Sequence, residues 1–208
     1  MEKIIIVIFI ISLIYLTKVE MVKSYFGLMA LQGILLFALA AFELKEIHVG
    51  IFVFVLLETL IFKAIFIPIF LNRITRNKVH RHEKTAVRSY YSVFVSAIII
   101  VASFIMSLEL HNEHLQVKYF TAAIAAIGIG LFIAITNHDI ITHLVSYIVI
   151  ENGIFLLSLA LGEDMPIFVN FAILLDIFTS VLTMGIFFNR LKEYFQNVHT
   201  SQLSNLKD

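Results

Sequence analysis

Residues 144–161 read LVSYIVIENGIFLLSLAL, an apolar run that contains a single carboxylate, Glu151. A helix of this length spans the hydrocarbon core of a bilayer, because roughly 18 residues at 1.5 Å each cover about 27 Å. Glu151 lies near the middle of the run, where a charged side chain costs about 2.5 to 3.5 kcal/mol on insertion scales. The stretch therefore predicts a membrane helix with an ionisable group inside the bilayer.

Six further apolar runs extend this pattern along the chain. The 208 residues are 60% hydrophobic and 14% charged, whereas about a quarter of the residues in a soluble domain are charged. The first run, Ile4 to Leu16, is expected to be retained as a helix, since no small-residue cleavage site follows it. We predict an all-α integral membrane protein with about seven transmembrane helices, over residues 3–17, 24–42, 48–71, 92–110, 119–136, 144–161 and 167–189.

Lysine and arginine are distributed unequally between the two ends of these helices. Three lie at one end, namely Lys3, Lys45 and Lys118. Eleven lie at the other end: Lys18, Lys23, Arg73, Arg76, Lys78, Arg81, Lys84, Arg88, Arg190, Lys192 and Lys207. The positive-inside rule therefore predicts a multi-pass protein of the cell (inner) membrane, with its N-terminus outside and its C-terminus in the cytoplasm.

The predicted helices fall into two groups separated by a basic segment. Residues 1–71 form an N-terminal three-helix unit, 72–91 a basic cytoplasmic loop, 92–110 a linking helix, 119–195 a C-terminal three-helix unit and 196–208 a polar tail. The loop either contacts anionic lipid or an acidic partner, or serves as an orientation signal in a solvated connection.

A weak internal repeat relates the two three-helix units. The segment that begins Gln32-Gly33 resembles the one that begins Asn152-Gly153, at an offset of 120 residues. Leu56-Leu57-Glu58 likewise resembles Leu174-Leu175-Asp176, at an offset of 118 residues. The repeat is either a true duplication, with both units running in the same direction, or a chance likeness between apolar helices.

Four ionisable side chains fall inside predicted helices: Glu58, Lys63, Glu151 and Asp176. Glu151 and Asp176 are expected near the bilayer midplane on antiparallel neighbouring helices. Glu58 and Lys63 are five residues apart, about 140° around a helix, so they are not expected to pair directly. Lys63 lies too deep for its side chain to reach the membrane surface comfortably.

Polar residues accompany the two midplane carboxyl groups. His143, Tyr147, Glu151 and Ser158 recur at spacings of four and seven residues, which is one helical face. Asp176 shares a face with Thr179, Ser180 and Thr183. Such stripes can hold a chain of waters that passes protons. The alternative is that each carboxyl group makes a hydrogen bond across a helix interface as part of packing.

Other chemistry is poorly represented. The chain has no cysteine, so it cannot itself ligate an iron–sulfur cluster, and no phosphate-binding or nucleotide-binding motif is present. Its histidines lack a third ligand at metal spacing, so we expect no bound metal. We also expect no cofactor and no nucleic-acid partner. Ala122, Ala126 and Gly130 recur every four residues, which predicts a small-residue face for close helix packing.

The stretch Tyr147-Ile-Val-Ile-Glu151-Asn152-Gly153 resembles the second helix of the NuoK subunit of respiratory complex I, and the helix around Asp176 resembles its third. Over nearly its whole length the chain resembles the HyfE family, hydrogenase-4 component E. The matching features are Gln32, the pattern Lys63-x4-Pro68, Glu151-Asn152-Gly153, Asp176 and the closing Leu203-Ser-Asn-Leu-Lys.

The resemblance implies a non-catalytic membrane subunit of a proton-translocating complex like group 4 nickel–iron hydrogenases or complex I. Residues 119–195 would be its NuoK-like unit, with Glu151 and Asp176 as links in the proton path. Its partners would be antiporter-like and other membrane subunits, a soluble redox module on the cytoplasmic side, and the lipid bilayer. The alternatives are a small subunit of a multisubunit cation/proton antiporter, pumping H⁺ or Na⁺, and a purely structural membrane anchor.

Overall fold

The computed structural model describes residues 1–19, 22–43, 60, 63–65, 69, 89–110, 115–137 and 140–161. Within these ranges the regular structure is entirely helical, with no strand. Five α-helices lie within the described ranges: α1 (Glu2–Leu16), α2 (Val22–Glu43), α3 (Ser89–Glu109), α4 (Val117–Thr136) and α5 (Ile140–Ala160).

Each of these helices begins and ends close to a predicted span. In the part of the chain that the structure describes, four segments are long and apolar enough to cross a membrane: Ser24–Phe42, Tyr90–Glu109, Val117–Thr136 and Thr142–Ala160. Helix α1 has 15 residues and is about 22 Å long at 1.5 Å per residue. The predicted spans 48–71 and 167–189 lie wholly or mostly outside the described residues, so the expected total of seven helices remains a prediction.

Helices α4 and α5 form the closest pair, and small residues make this contact possible. Ala122 and Ala126 are fully buried in α4. A Cβ atom added at Gly130 of α4 would lie 3.0 Å from the Ser146 carbonyl oxygen of α5. At one end of the pair the Gln116 backbone N–H donates to the Ala160 carbonyl oxygen at 2.9 Å. The predicted small-residue packing face is confirmed, and the two helices run antiparallel.

Helix α1 packs against α2 and α4 through Phe9, Leu13 and Leu16, all fully buried. Glu2 and Lys118, at the first turns of α1 and α4, form an ion pair whose side chains are about a third exposed. Helices α1 and α4 therefore begin at the same end of the bundle.

Helix α3 lies at the edge of the bundle. It contacts α4 through hydroxyl groups, with Ser107 Oγ 2.7 Å from Thr121 Oγ1. Its other face exposes large apolar side chains, among them Phe94, Ile98 and Val101. The buried side chains of α3 are serines, namely Ser92, Ser96, Ser103 and Ser107, whereas most of its apolar side chains face outward. Small hydroxyl side chains on the packed face and apolar ones on the outer face are typical of a helix that spans a membrane.

Candidate functional site

Lys63 and Glu151 meet in the interior of the protein. The Lys63 Nζ lies 3.4 Å from Glu151 Oε1, and the two side chains are 2% and 1% exposed. Lys63 and the two residues after it have π-helical geometry, and Glu151 lies on α5. Local π-helical geometry is rare and occurs frequently at functional sites.

The ion pair lies deep in its helix. Glu151 is the central residue of the candidate membrane span Thr142–Ala160, nine residues from each end (142 to 151 and 151 to 160). Charges are retained at such a depth when they pair or serve an ion path, because solvating them there is costly. Replacing only one partner of a buried pair is also costly, since the remaining charge loses its compensation.

An aromatic ring completes the surroundings of the Lys63 ammonium group. Lys63 Nζ lies 5.1 Å from the centre of the Phe155 ring. Phe155 is fully buried and follows Glu151 by four residues, so both side chains lie on the same face of α5. The ammonium group is therefore held between a carboxylate and the negative face of an aromatic ring.

Beside the ion pair, a directional chain of hydrogen bonds crosses three helices. Asn152 Nδ2 donates to Gln32 Oε1 at 3.3 Å, and Gln32 Nε2 donates to Ser12 Oγ at 3.1 Å. Ser12 Oγ in turn donates to the Phe9 carbonyl oxygen at 2.6 Å. All of these side chains are buried, so the chain of bonds joins α5, α2 and α1 in the interior.

One hydrogen-bond acceptor in this network has no donor among the described residues. Asn152 Oδ1 is buried and accepts no hydrogen bond from any residue in the described part of the chain. A buried acceptor in that condition costs about 1 to 3 kcal/mol. The site therefore offers an open acceptor one residue from Glu151.

The predicted polar stripe on α5 is only partly reproduced. Tyr147 is 51% exposed, whereas Glu151 is buried. Each step of four residues advances about 40° around the helix, so a stripe drawn at this spacing drifts from one face to the next. His143 is partly buried, and its carbonyl oxygen accepts the Ser146 hydroxyl at 2.7 Å. Ser158 Oγ donates to the Phe155 carbonyl oxygen, away from the ion pair.

Two predicted site residues, Glu58 and Asp176, lie outside the described residues. The described ranges contain no group of three or more His, Asp or Glu side chains placed to hold a metal ion. The contact between Lys63 and Glu151, which are 88 residues apart (63 to 151), was not predicted from the sequence. The bond between Gln32 and Asn152 was not predicted either, although the internal repeat paired these two positions.

Comparison with known proteins identifies one relative of note. The chain is 22% identical over 130 residues to the uncharacterized protein Rv0085 of Mycobacterium tuberculosis (strain ATCC 25618 / H37Rv). The match covers 62% of this chain and 59% of that protein, so the chain spans about three fifths of its relative's length. No family model matches the chain. No solved structure matches it either.

Proposed function

We propose that this chain is a membrane subunit of a proton-translocating assembly, and that Lys63 and Glu151 form a proton-exchange site within it. The observation that supports this role is the buried ion pair at the centre of a candidate membrane span. The class of assembly, like group 4 nickel–iron hydrogenases or complex I, rests on the resemblance of the sequence to the HyfE family and to NuoK.

The chemistry of such a site follows from its two groups. When a proton moves from the Lys63 ammonium group to the Glu151 carboxylate, the products are a neutral amine and a neutral carboxylic acid. The pair can also take up one further proton at the carboxylate or release one from the ammonium group. A carboxylate and an ammonium group held 3.4 Å apart therefore accept and return a proton with little movement of the side chains.

The proposed proton path extends beyond the ion pair, and the proposed assembly includes further subunits. Glu58, His143, Tyr147 and Asp176 would extend the proton path on either side of the pair. The chain would lie in the cell membrane with its C-terminus in the cytoplasm, beside antiporter-like subunits and below a soluble redox module. It would ligate no iron–sulfur cluster of its own, since it has no cysteine.

The test is proton translocation by the intact assembly. A complex isolated through a tag on this chain is analysed for its subunits, and inverted membrane vesicles are assayed for acidification during turnover. Glu151→Gln keeps the shape of the side chain and removes its titratable group, so we expect normal assembly and loss of translocation. Glu109→Gln, at the exposed end of α3, is the matched control.

The outcomes separate the alternatives. Unchanged acidification by the Glu151→Gln variant, at normal levels of complex, would remove the residue from the proton path. Copurification of antiporter subunits without any redox subunit would place the chain in a cation/proton antiporter. Tolerance of Glu151→Gln together with failed assembly of Glu151→Leu would identify a structural anchor.

A further inference from the structure

Two consecutive residues of α2 contact the two segments that carry the ion pair. Gln32 contacts α5, which carries Glu151, and Gly33 contacts the segment that carries Lys63. Gln32, fully buried, accepts the hydrogen bond from Asn152 Nδ2. Asn152 directly follows Glu151, about 100° further around α5. Any rotation of α5 that turned Glu151 away from Lys63 would also pull Asn152 from Gln32. The Gln32 amide thus fixes the rotational setting of the helix that carries the carboxylate.

Gly33 contacts the other side, at the backbone of the lysine segment. A Cβ atom added at Gly33 would lie 2.7 Å from Ala64 N, 2.8 Å from Ala64 Cα and 2.9 Å from the Lys63 carbonyl carbon. All three are backbone atoms, which cannot swing aside as the end of a side chain does. The missing side chain of Gly33 is therefore what lets the Lys63 segment lie directly against α2.

We propose that Gln32 and Gly33 are positioning residues that together set the separation between Lys63 Nζ and Glu151 Oε1. The consequence for proton exchange rests on the proposed function, but the positioning itself does not. Helix α2 acts as the common support: Gln32 holds the helix that carries Glu151, and Gly33 seats the backbone of Lys63. Gly33 is also the central residue of the span Ser24–Phe42, as Glu151 is of the span Thr142–Ala160.

The four other glycines of the described helices do not have this arrangement. Gly130 and Gly153 provide close contact between α4 and α5, and Gly128 lies against Ile99 of α3. Gly27, six residues before Gly33 on α2, has no atom within 4 Å of an added Cβ. A methyl group is therefore tolerated at one end of α2 and forces the backbones apart at its centre.

The first experiment measures the energetic coupling of Lys63 and Glu151 in the full chain, purified in lipid nanodiscs. Lys63→Met, Glu151→Gln and the double variant are unfolded thermally, and the coupling is the part of the Tm change that is not additive. The cycle is repeated in Gly33→Ala and Gly27→Ala backgrounds. We expect full coupling in the Gly27→Ala background and a loss of coupling in the Gly33→Ala background. Full coupling in the Gly33→Ala background would overturn the role of Gly33.

The second experiment exchanges the side-chain lengths of Gln32 and Asn152. It tests the positioning role even if the Gly33→Ala variant does not accumulate. Gln32→Asn shortens one side chain by a methylene, and Asn152→Gln lengthens the other by the same amount. We expect each single change to weaken the coupling of Lys63 and Glu151 and the double change to restore it. Unchanged coupling in both single variants, or a loss that the double variant does not restore, would overturn the role of Gln32.

These results stand apart from the proposed function, because they do not depend on proton movement. If Glu151→Gln leaves acidification intact while Gly33→Ala still reduces the coupling, the proton-exchange role fails and the positioning remains. If the proton-exchange role holds, acidification per turnover in the Gly33→Ala assembly should fall below that in the Gly27→Ala assembly, at equal amounts of complex.

Discussion

Glu151 and Phe155 lie one helical turn apart on α5 and face the same cation, the ammonium group of Lys63. Its nitrogen is 3.4 Å from Glu151 Oε1 and 5.1 Å from the centre of the Phe155 ring. The carboxylate can be neutralised by a proton, but the ring cannot. The aromatic contact therefore persists in every protonation state in which Lys63 stays charged.

Replacing Phe155 should reveal this contribution. We expect Phe155→Leu to lower the free energy of unfolding through lost packing and through loss of a cation–π contact worth roughly 0.5 to 2 kcal/mol. Phe155→Tyr keeps the aromatic face and should lose less. Thermal unfolding in nanodiscs measures the stability of both Phe155 variants. Repeating the two measurements in a Lys63→Met background isolates the contribution of the cation–π contact. An equal cost of Phe155→Leu in both backgrounds would show that only packing is involved.

Removal of one charge from the ion pair should cost more than removal of both. We expect Lys63→Met to lower the free energy of unfolding by about 3 to 5 kcal/mol, because a buried carboxylate then loses the cation beside it. Adding Glu151→Gln to this variant should recover part of the loss. Denaturation of the single and double variants in nanodiscs measures the effect. Strictly additive losses would mean that the two groups do not interact.

The contact between α4 and α5 should be sensitive to one methyl group. A Cβ atom at Gly153 would lie 2.9 Å from the Ala123 carbonyl oxygen and 3.0 Å from Ile127 N, both in the backbone of α4. We expect Gly153→Ala to destabilise the protein by about 1 to 3 kcal/mol, as overpacking does. Gly27→Ala, which adds a methyl group in open space, is the control. Similar melting temperatures for the two variants would contradict the close contact.

The ion pair of Glu2 and Lys118 should behave quite differently from the buried pair. Its side chains are about a third exposed, so water and salt screen the attraction. We expect Glu2→Gln to lower stability by no more than about 1 kcal/mol. Raising the salt concentration should shrink the difference between variant and wild type in thermal unfolding. A loss comparable to that of Lys63→Met would be inconsistent with a solvent-screened pair.

The predicted orientation can be tested by labelling, because the chain has no native cysteine. Cysteines introduced at Lys78 and Ser201 should resist an impermeant thiol reagent in intact cells, and one at Asn112 should react. Permeabilised cells provide the control that every site is reactive. The reverse pattern in intact cells would invert the topology.

The helices were predictable from the sequence, but the partners of the buried charges were not. Hydrophobic runs are local, so the spans 24–42 and 119–136 correspond closely to α2 and α4. Lys63 and Glu151 are brought together by helix packing, and nothing in either segment specifies the other. Each of them could still be singled out as a candidate, because a charge in an apolar run is costly wherever it packs.

The polar neighbours of the ion pair show the same limit. Tyr147 was assigned to the face of Glu151 by its spacing, yet the packing of α5 leaves half of its surface exposed. Gln32 was noted as a member of the repeat and as part of the family resemblance, but its direct bond to the repeat-related Asn152 was not predicted. The helical period predicts the direction in which a side chain leaves its helix axis to within about a third of a turn. Which neighbour lies in that direction depends on helices elsewhere in the chain.

The hydrogen bond between Gln32 and Asn152 also imposes an order on the biosynthesis of the protein. The two residues are 120 positions apart, so at about 5 to 20 residues per second the ribosome adds the second roughly 6 to 24 s after the first. Throughout that interval the newly made α2 carries an amide whose acceptor oxygen has yet to meet its partner on α5. A chain released before residue 152 would leave that acceptor oxygen without its partner on α5, and an unsatisfied polar group in apolar surroundings is costly.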